Sequence, residues 1–77
     1  MILTVKFKTV SSEKSILAES ETTVGQALGQ HLPDIANAGT HMPFVEGRQV
    51  DASTTIGSLS INGQPVTITL TKLVQGN

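Results

Sequence analysis

Apolar and polar residues alternate over the first eight positions of the chain. Leu3, Val5 and Phe7 fall on one side of the alternation, and Ile2, Thr4, Lys6 and Lys8 fall on the other. This period of two residues is typical of a strand with one buried face. The polar residues 11–14 indicate a turn, and the segment after them predicts a second strand with Ile16 and Ala18 facing inward. The chain therefore opens with a β-hairpin.

A capping box marks the start of a helix. Thr23 is followed three residues later by Gln26, so each side chain can bond the backbone N–H of the other residue. The helix is short because Pro33 lacks the N–H that would continue it. Each of the interior residues Gly25 and Gly29 costs about 1 kcal/mol relative to alanine, so packing on the sheet must stabilise this helix. We expect these glycines to allow a close approach to a strand.

The second half of the chain predicts three more elements after a loop. Residues 34–40 are small and polar and predict that loop. Residues 42–50 predict a second hairpin, which turns at Glu46-Gly47 and whose Pro43 favours a sheet edge. Residues 54–59 predict a capped helical turn. Residues 66–71 alternate aliphatic residues with threonine and are rich in β-branched side chains, which predicts a final strand.

The order of hairpin, helix, hairpin, short helical turn and final strand is an α+β pattern. It contains no internal repeat. We expect the first and last strands to pair in parallel within a mixed sheet, with one helix packed across it. The predicted core consists of Leu3, Val5, Ile16, Val24, Leu28, Val50, Ile56, Leu59, Ile61, Ile68 and Leu70.

Length and composition limit the function classes. The 77 residues allow one domain, which we place at residues 1–74 with a tail at 75–77, and they include no cysteine. The net charge of −1 and five scattered basic residues argue against a nucleic-acid partner. No apolar stretch predicts a signal peptide or a membrane span. We expect a monomeric cytoplasmic protein without a cofactor.

No group of residues predicts an active site. His31 and His41 do not have the spacing of metal ligands, so we expect no metal site. Ser11, Ser53 and Ser58 lie in predicted turns, where a hydroxyl bonds the local backbone. The chain is therefore expected not to be an enzyme.

The order of these segments resembles ubiquitin. Residues 44–51, Phe-Val-Glu-Gly-Arg-Gln-Val-Asp, are similar to its strand, Ala-Gly turn and Lys-Gln-Leu-Glu segment. Residues 55–61, Thr-Ile-Gly-Ser-Leu-Ser-Ile, are similar to its Thr-Leu-Ser-Asp-Tyr-Asn-Ile segment. The resemblance implies a ubiquitin-like β-grasp fold and a non-catalytic role, either as a protein modifier or as a protein-binding module.

The resemblance also implies a recognition surface, which would contain Met42, Phe44, Arg48 and Thr71. Thr71 stands where the family has an aliphatic residue, and Arg48 stands at a linkage lysine. For Phe44 two interpretations stay open: an exposed contact residue on the outer sheet face, or the core aromatic of a small domain.

The tail departs from the family pattern. Ubiquitin ends in two glycines, whereas this chain ends in Gln75-Gly76-Asn77. Gly76 is either the residue that forms an isopeptide bond after a processing protease removes Asn77 and an activating enzyme acts, or part of a frayed end. Three function classes follow: a conjugated modifier, a non-conjugated adaptor or assembly subunit, and a small sulfur carrier.

Overall fold

The computed structural model describes residues 1–39 and 41–72. The strands are β1 (Ile2–Lys8), β2 (Glu13–Glu19), β3 (His41–Val45), β4 (Arg48–Gln49) and β5 (Val66–Lys72). The helices are α1 (Val24–His31), α2 (Pro33–Ala38) and α3 (Ile56–Leu59). The predicted order is confirmed, with α2 as an addition.

The five strands form one mixed sheet in the order β2-β1-β5-β3-β4. The central strands β1 and β5 come from opposite ends of the described chain and run parallel, with Phe7 beside Ile68. The other three pairs of strands are antiparallel. The parallel pairing of the first and last strands is therefore confirmed. Placing the two most apolar strands at the centre gives each of them a partner on both sides.

The core lies between the sheet and α1. Its buried side chains are Leu3, Val5, Phe7, Ile16, Val24, Ala27, Ile56, Val66, Ile68 and Leu70. Leu28, Val50 and Leu59, which were also predicted for the core, are partly buried against it. Phe7 is 1% exposed and is the core aromatic.

The prediction for Ile61 is wrong, because its side chain is 65% exposed. Ile61 opens a tight turn in which the Gln64 N–H donates to the Ile61 carbonyl oxygen at 3.0 Å. Asn62 and Gly63 both have positive φ in this turn, at 54° and 75°. The chain reverses direction directly after α3, so Ile61 lies at the surface while Leu59 packs on the core.

Residues 34–38 were predicted as loop but belong to α2. Pro33 occupies the first turn of this helix, where its missing N–H has no intrahelical partner to lose. Gly39 ends the helix with φ 63°, in the left-handed region, and its N–H donates to the Ile35 carbonyl oxygen at 3.3 Å. Ile35 packs against the core. One apolar residue gives no periodicity, so the sequence pattern could not reveal this helix.

Side chains form hydrogen bonds with backbone groups at both ends of α1. The capping box is confirmed: the Gln26 N–H donates to Thr23 Oγ1 at 3.1 Å, and the Thr23 N–H donates to Gln26 Oε1 at 3.0 Å. At the other end, Lys14 Nζ donates to the His31 carbonyl oxygen at 3.0 Å. A cation at the C-terminus of a helix also interacts favourably with the helix dipole.

The starts of α1 and α3 bond each other. The Val24 and Gly25 N–H groups donate to the carbonyl oxygens of Thr54 and Ala52, at 2.8 and 2.9 Å. Reciprocally, the Ile56 and Gly57 N–H groups donate to the carbonyl oxygens of Thr22 and Ser20, both at 2.8 Å. We call residues 20–25 and 52–57, which contain these two helix starts, the clasp.

A short repeat underlies the clasp. Residues 22–25 read Thr-Thr-Val-Gly and residues 54–57 read Thr-Thr-Ile-Gly. In each copy the second threonine precedes the helix, the β-branched residue is fully buried, and the glycine lies in the first turn. Four residues are too few to form an internal repeat of the domain, so the similarity is confined to the two helix starts.

The glycines of the clasp are required by close packing. A Cβ at Gly57 would lie 2.9 Å from both the Cβ and the carbonyl oxygen of Ser20. A Cβ at Gly25 would lie 3.0 Å from the Ala52 Cβ and 3.1 Å from its carbonyl oxygen. The expected close approach is thus to the chain after β4 and not to a strand. A Cβ at Gly29 would meet no neighbouring atom of the described residues within 4 Å, so the expectation fails there.

Two alanine substitutions test this difference. We expect Gly57→Ala to lower the free energy of unfolding by about 1–3 kcal/mol, because the clasp must shift to admit the methyl group. We expect the matched Gly29→Ala to raise it by about 0.5–1 kcal/mol, because alanine favours the helix and meets open space. Urea unfolding of both variants measures the two changes. A stabilising Gly57→Ala would contradict the close packing.

Candidate partner-binding face

The face of the sheet opposite α1, here called the outer face, is open to solvent. Along β5 the buried residues Val66, Ile68 and Leu70 alternate with the exposed residues Thr67, Thr69 and Thr71. Successive side chains of a strand point to opposite faces, so the three threonines lie on the outer face. The alternation in the sequence had predicted that one face of this strand is polar.

Phe44 lies on the outer face beside Thr69. Thr69 pairs with Phe44 on one side and with Lys8 on the other, and Gln49 pairs with Phe44 from β4. These residues form a row across four strands, in which neighbouring backbones lie about 4.8 Å apart. Phe44 is partly exposed, whereas its neighbour Val45 packs on the core. Because Phe7 is the buried aromatic, Phe44 is not needed in the core.

Met42 and Thr71 lie next to this row. They pair directly across β3 and β5, two residues along from Phe44 and Thr69. Met42 is partly exposed and Thr71 is exposed. Three of the four residues expected on the recognition surface therefore lie together on one face.

Arg48 does not share that face. The turn between β3 and β4 has Glu46 at φ 52° and Gly47 at φ 80°, which is a two-residue turn with both central residues left-handed. This turn pairs Arg48 with Val45, whose side chain packs on the core side of the sheet. Arg48 is therefore an exposed residue at the sheet edge, and Gln49 takes the place beside Phe44.

The charges of the outer face are unevenly distributed. Lys6 Nζ lies 3.5 Å from Glu13 Oε1, with both side chains roughly half exposed, so this ion pair contributes little to stability. Lys8 is exposed and shares its row with Phe44. The part of the outer face around Phe44 thus combines an aromatic ring, a thioether and a cation.

A second apolar area on the outer face was not predicted from the sequence. Ile2 and Leu17 are 61% and 68% exposed. Thr4 pairs with Leu17 and Ile2 pairs with Glu19, so the two apolar side chains are diagonal neighbours at the far edge of the sheet. The available signal was the alternation of β2, which puts Leu17 on the face opposite Ile16.

The other predicted residues have modest structural roles. In the described part of the chain, no three His, Cys, Asp or Glu side chains come together to hold a metal ion. His31 and His41 belong to separate elements, α1 and β3. Ser58 Oγ donates to the Thr55 carbonyl oxygen at 2.7 Å, as expected for a turn hydroxyl. Gly76 and the proposed tail at 75–77 lie outside the described residues.

None of the helices described here is long and apolar enough to cross a membrane.

Comparison with known proteins identifies the architecture. The chain aligns over its full length with all of a ubiquitin from Caldiarchaeum subterraneum, with a TM-score of 0.74 and 17% sequence identity. The chain has the ubiquitin-like β-grasp fold. A designed protein based on ubiquitin aligns with 97% of the chain and 93% of its own length, with a TM-score of 0.68 and 18% identity.

A further ubiquitin-like neighbour was solved in a complex. ATBAG1, in complex with HSP70, aligns with 91% of the chain and 40% of its own length, with a TM-score of 0.67 and 12% identity. No protein-family model and no curated protein matches the chain. The ubiquitin-like β-grasp fold is therefore established by the geometry, at sequence identities that do not carry function.

The two phenylalanines provide a matched test of the two faces. We expect Phe7→Ala to lower the free energy of unfolding by about 3–5 kcal/mol, because it leaves a cavity in the core. We expect Phe44→Ala to lower it by about 1 kcal/mol or less, because only a partly exposed cross-strand pair is lost. Thermal unfolding of both variants gives the comparison. Equal losses would place Phe44 in the core.

Proposed function

We propose that this ubiquitin-like protein is a non-catalytic binding module that recognises a protein partner through the outer face around Phe44. The observation that carries the proposal is the position of Phe44 beside Met42 on a face that the domain's own helices leave open. Partly exposed aromatic residues are frequent centres of protein interfaces. A partner that covers the ring would remove apolar area from water that the fold leaves exposed.

The chemistry of this face favours a weak interaction. Thr69 and Thr71 supply methyl groups and hydroxyls where an aliphatic pair would supply more apolar area. At about 25 cal/mol per Å² of buried apolar area, the smaller side chains lower the attainable affinity. Lys8 in the same row favours a partner with a carboxylate next to its apolar contact residue.

The neighbour solved with HSP70 supports a protein partner in general terms. A protein with a segment similar to this chain was thus solved bound to another protein. The partner of the present chain is defined here only by chemistry: an apolar side chain to cover Phe44 and an acidic group to meet Lys8.

The outer-face proposal has a direct binding test. The wild-type chain, Phe44→Ala and the control Leu17→Ala are each immobilised and exposed to an extract of the cells that make the protein. We expect the proteins retained by the wild type to be lost with Phe44→Ala and kept with Leu17→Ala, as measured by quantitative mass spectrometry. Loss with both variants, or with neither, would contradict a site centred on Phe44.

A covalent role is a second candidate, favoured by Gly76 near the end of the sequence. In the resembled family the terminal carboxylate is adenylated, and a bare glycine passes through a narrow enzyme channel. Asn77 adds a side chain whose amide would lose its hydrogen bonds to water, at a cost of about 1–3 kcal/mol. We propose that any conjugation, or any sulfur-carrier chemistry, begins only after hydrolysis of the bond between Gly76 and Asn77.

Two proteins test this second candidate, one ending at Asn77 and one ending at Gly76. Each is incubated with ATP and the candidate activating enzyme from the same source, and intact mass reveals the adduct. We expect an adduct only with the protein ending at Gly76. Equal activation of both would refute the block by Asn77. Failure of both, with Asn77 retained on the protein purified from its own cells, would leave the non-conjugated adaptor.

A further inference from the structure

Among residues 1–39 and 41–72, no strand pairs with β5 on its β3 side before Thr69. The pairing of β3 with β5 runs from His41 and Lys72 to Phe44 and Thr69 and goes no further, because β3 turns into β4 at Glu46. In this register Val45, the last residue of β3, lies opposite Ile68, so two residues at the start of β5, Val66 and Thr67, extend past the end of β3.

The backbone of Thr67 points to this open side. The Val50 N–H donates to the Pro43 carbonyl oxygen at 3.0 Å, so the Pro43 carbonyl faces β4, and the N–H and carbonyl of Phe44 face β5. Phe44 pairs with Thr69, whose N–H and carbonyl thus face β3. Backbone groups two residues apart on a strand face the same side, so the N–H and carbonyl of Thr67 point past the end of β3.

A groove of about 340 Å³ lies at this position. Its volume is at the small end of the range of ligand pockets in proteins. The apolar part of its lining consists of Val45, Leu59, Ile61, Pro65 and Val66, and the polar part includes Glu46, Gln64 and Thr67. The groove thus combines a free strand edge with apolar side chains and one carboxylate.

Ile61 is held in position on the wall of this groove. The turn from Ile61 to Gln64 is closed by the backbone bond at 3.0 Å, and Ser60 Oγ donates to the Gln64 carbonyl oxygen at 2.7 Å. A fixed turn therefore presents a side chain that is 65% exposed. Sequence reasoning assigned Ile61 to the core, and departures from local rules of this kind are expected at functional sites.

We propose that this groove binds a short extended segment of a partner protein as an added strand on the edge of β5. One residue of the segment exchanges both backbone hydrogen bonds with Thr67, as in an antiparallel pair. An aliphatic side chain of the segment covers Ile61 and Leu59. A lysine or arginine of the segment lies near Glu46, which is exposed and is the only carboxylate among the described residues that line the groove.

The groove adjoins the surface centred on Phe44. Thr69 lines the groove and also pairs with Phe44, so a partner could cover both. The inference does not rest on the outer-face proposal, because its hydrogen bonds and its apolar contacts involve Thr67, Leu59 and Ile61.

A synthetic peptide tests the groove. The probe is acetyl-Ser-Val-Ile-Val-Arg-Ser-amide, titrated into the full isotope-labelled chain and followed by amide NMR shifts. We expect the Thr67 amide proton to move downfield with saturation in the millimolar range or tighter. The same peptide methylated on its central amide nitrogen cannot donate that N–H to the Thr67 carbonyl oxygen. We expect its affinity to fall at least about tenfold.

Variants of the chain provide the matched controls. We expect Ile61→Ser to weaken peptide binding by about tenfold or more, because a large apolar contact is removed without disturbing the core. Glu46→Gln should weaken it by about two- to fivefold, the range of an exposed ion pair. Val10→Ser, at a residue that is 99% exposed in the turn between β1 and β2, should leave binding unchanged.

Three results would overturn the proposal. The first is a Thr67 amide that does not shift at several millimolar peptide. The second is binding that survives Ile61→Ser or tolerates the methylated peptide equally. The third is a Thr67 shift that depends on the concentration of the chain alone, which would show that a second copy, and not a partner peptide, occupies the groove.

Discussion

Four backbone hydrogen bonds between two helix starts are the constraint on which the other parts of this small domain depend. The first N–H groups of any helix lack partners within that helix. In this chain the N–H groups of Val24 and Gly25 find carbonyl oxygens beside α3, and those of Ile56 and Gly57 find carbonyl oxygens beside α1. Each helix start therefore satisfies the other, and the buried side chains of Val24 and Ile56 reach the core from both halves of the clasp.

The clasp also fixes the geometry of both candidate sites. The β3–β4 hairpin that carries Phe44 is followed directly by the segment whose Ala52 carbonyl accepts from Gly25. On its other side, α3 leads within two residues of its end to Ile61 and the groove. A shift of the clasp would thus move the hairpin and the groove wall together. Glycine is needed at Gly25 and Gly57 because each lies directly against the backbone of the other half of the clasp.

Regular patterns made most of the fold predictable, and local exceptions made the rest unpredictable. The alternation of β1 and β5 identified the central strands, and the Thr23 capping box identified α1. The α2 helix was missed because Ile35 alone gives no period, and Ile61 was misplaced because its exposure is set by a turn and not by its own chemistry. For the site, the family resemblance grouped Phe44 with Thr71 while two interpretations of Phe44 stayed open, and the pairing of Arg48 with Val45 needed the register of the turn.

Amide hydrogen exchange under native conditions tests the clasp most directly. Exchange of the Val24, Gly25, Ile56 and Gly57 amides reports the opening of the four bonds, since first-turn amides of an ordinary helix are unprotected. We expect all four amides to be protected and to share one free energy of opening, close to that of core amides such as Ile68. Rapid exchange at these positions, or separate opening of the α1 pair and the α3 pair, would contradict it.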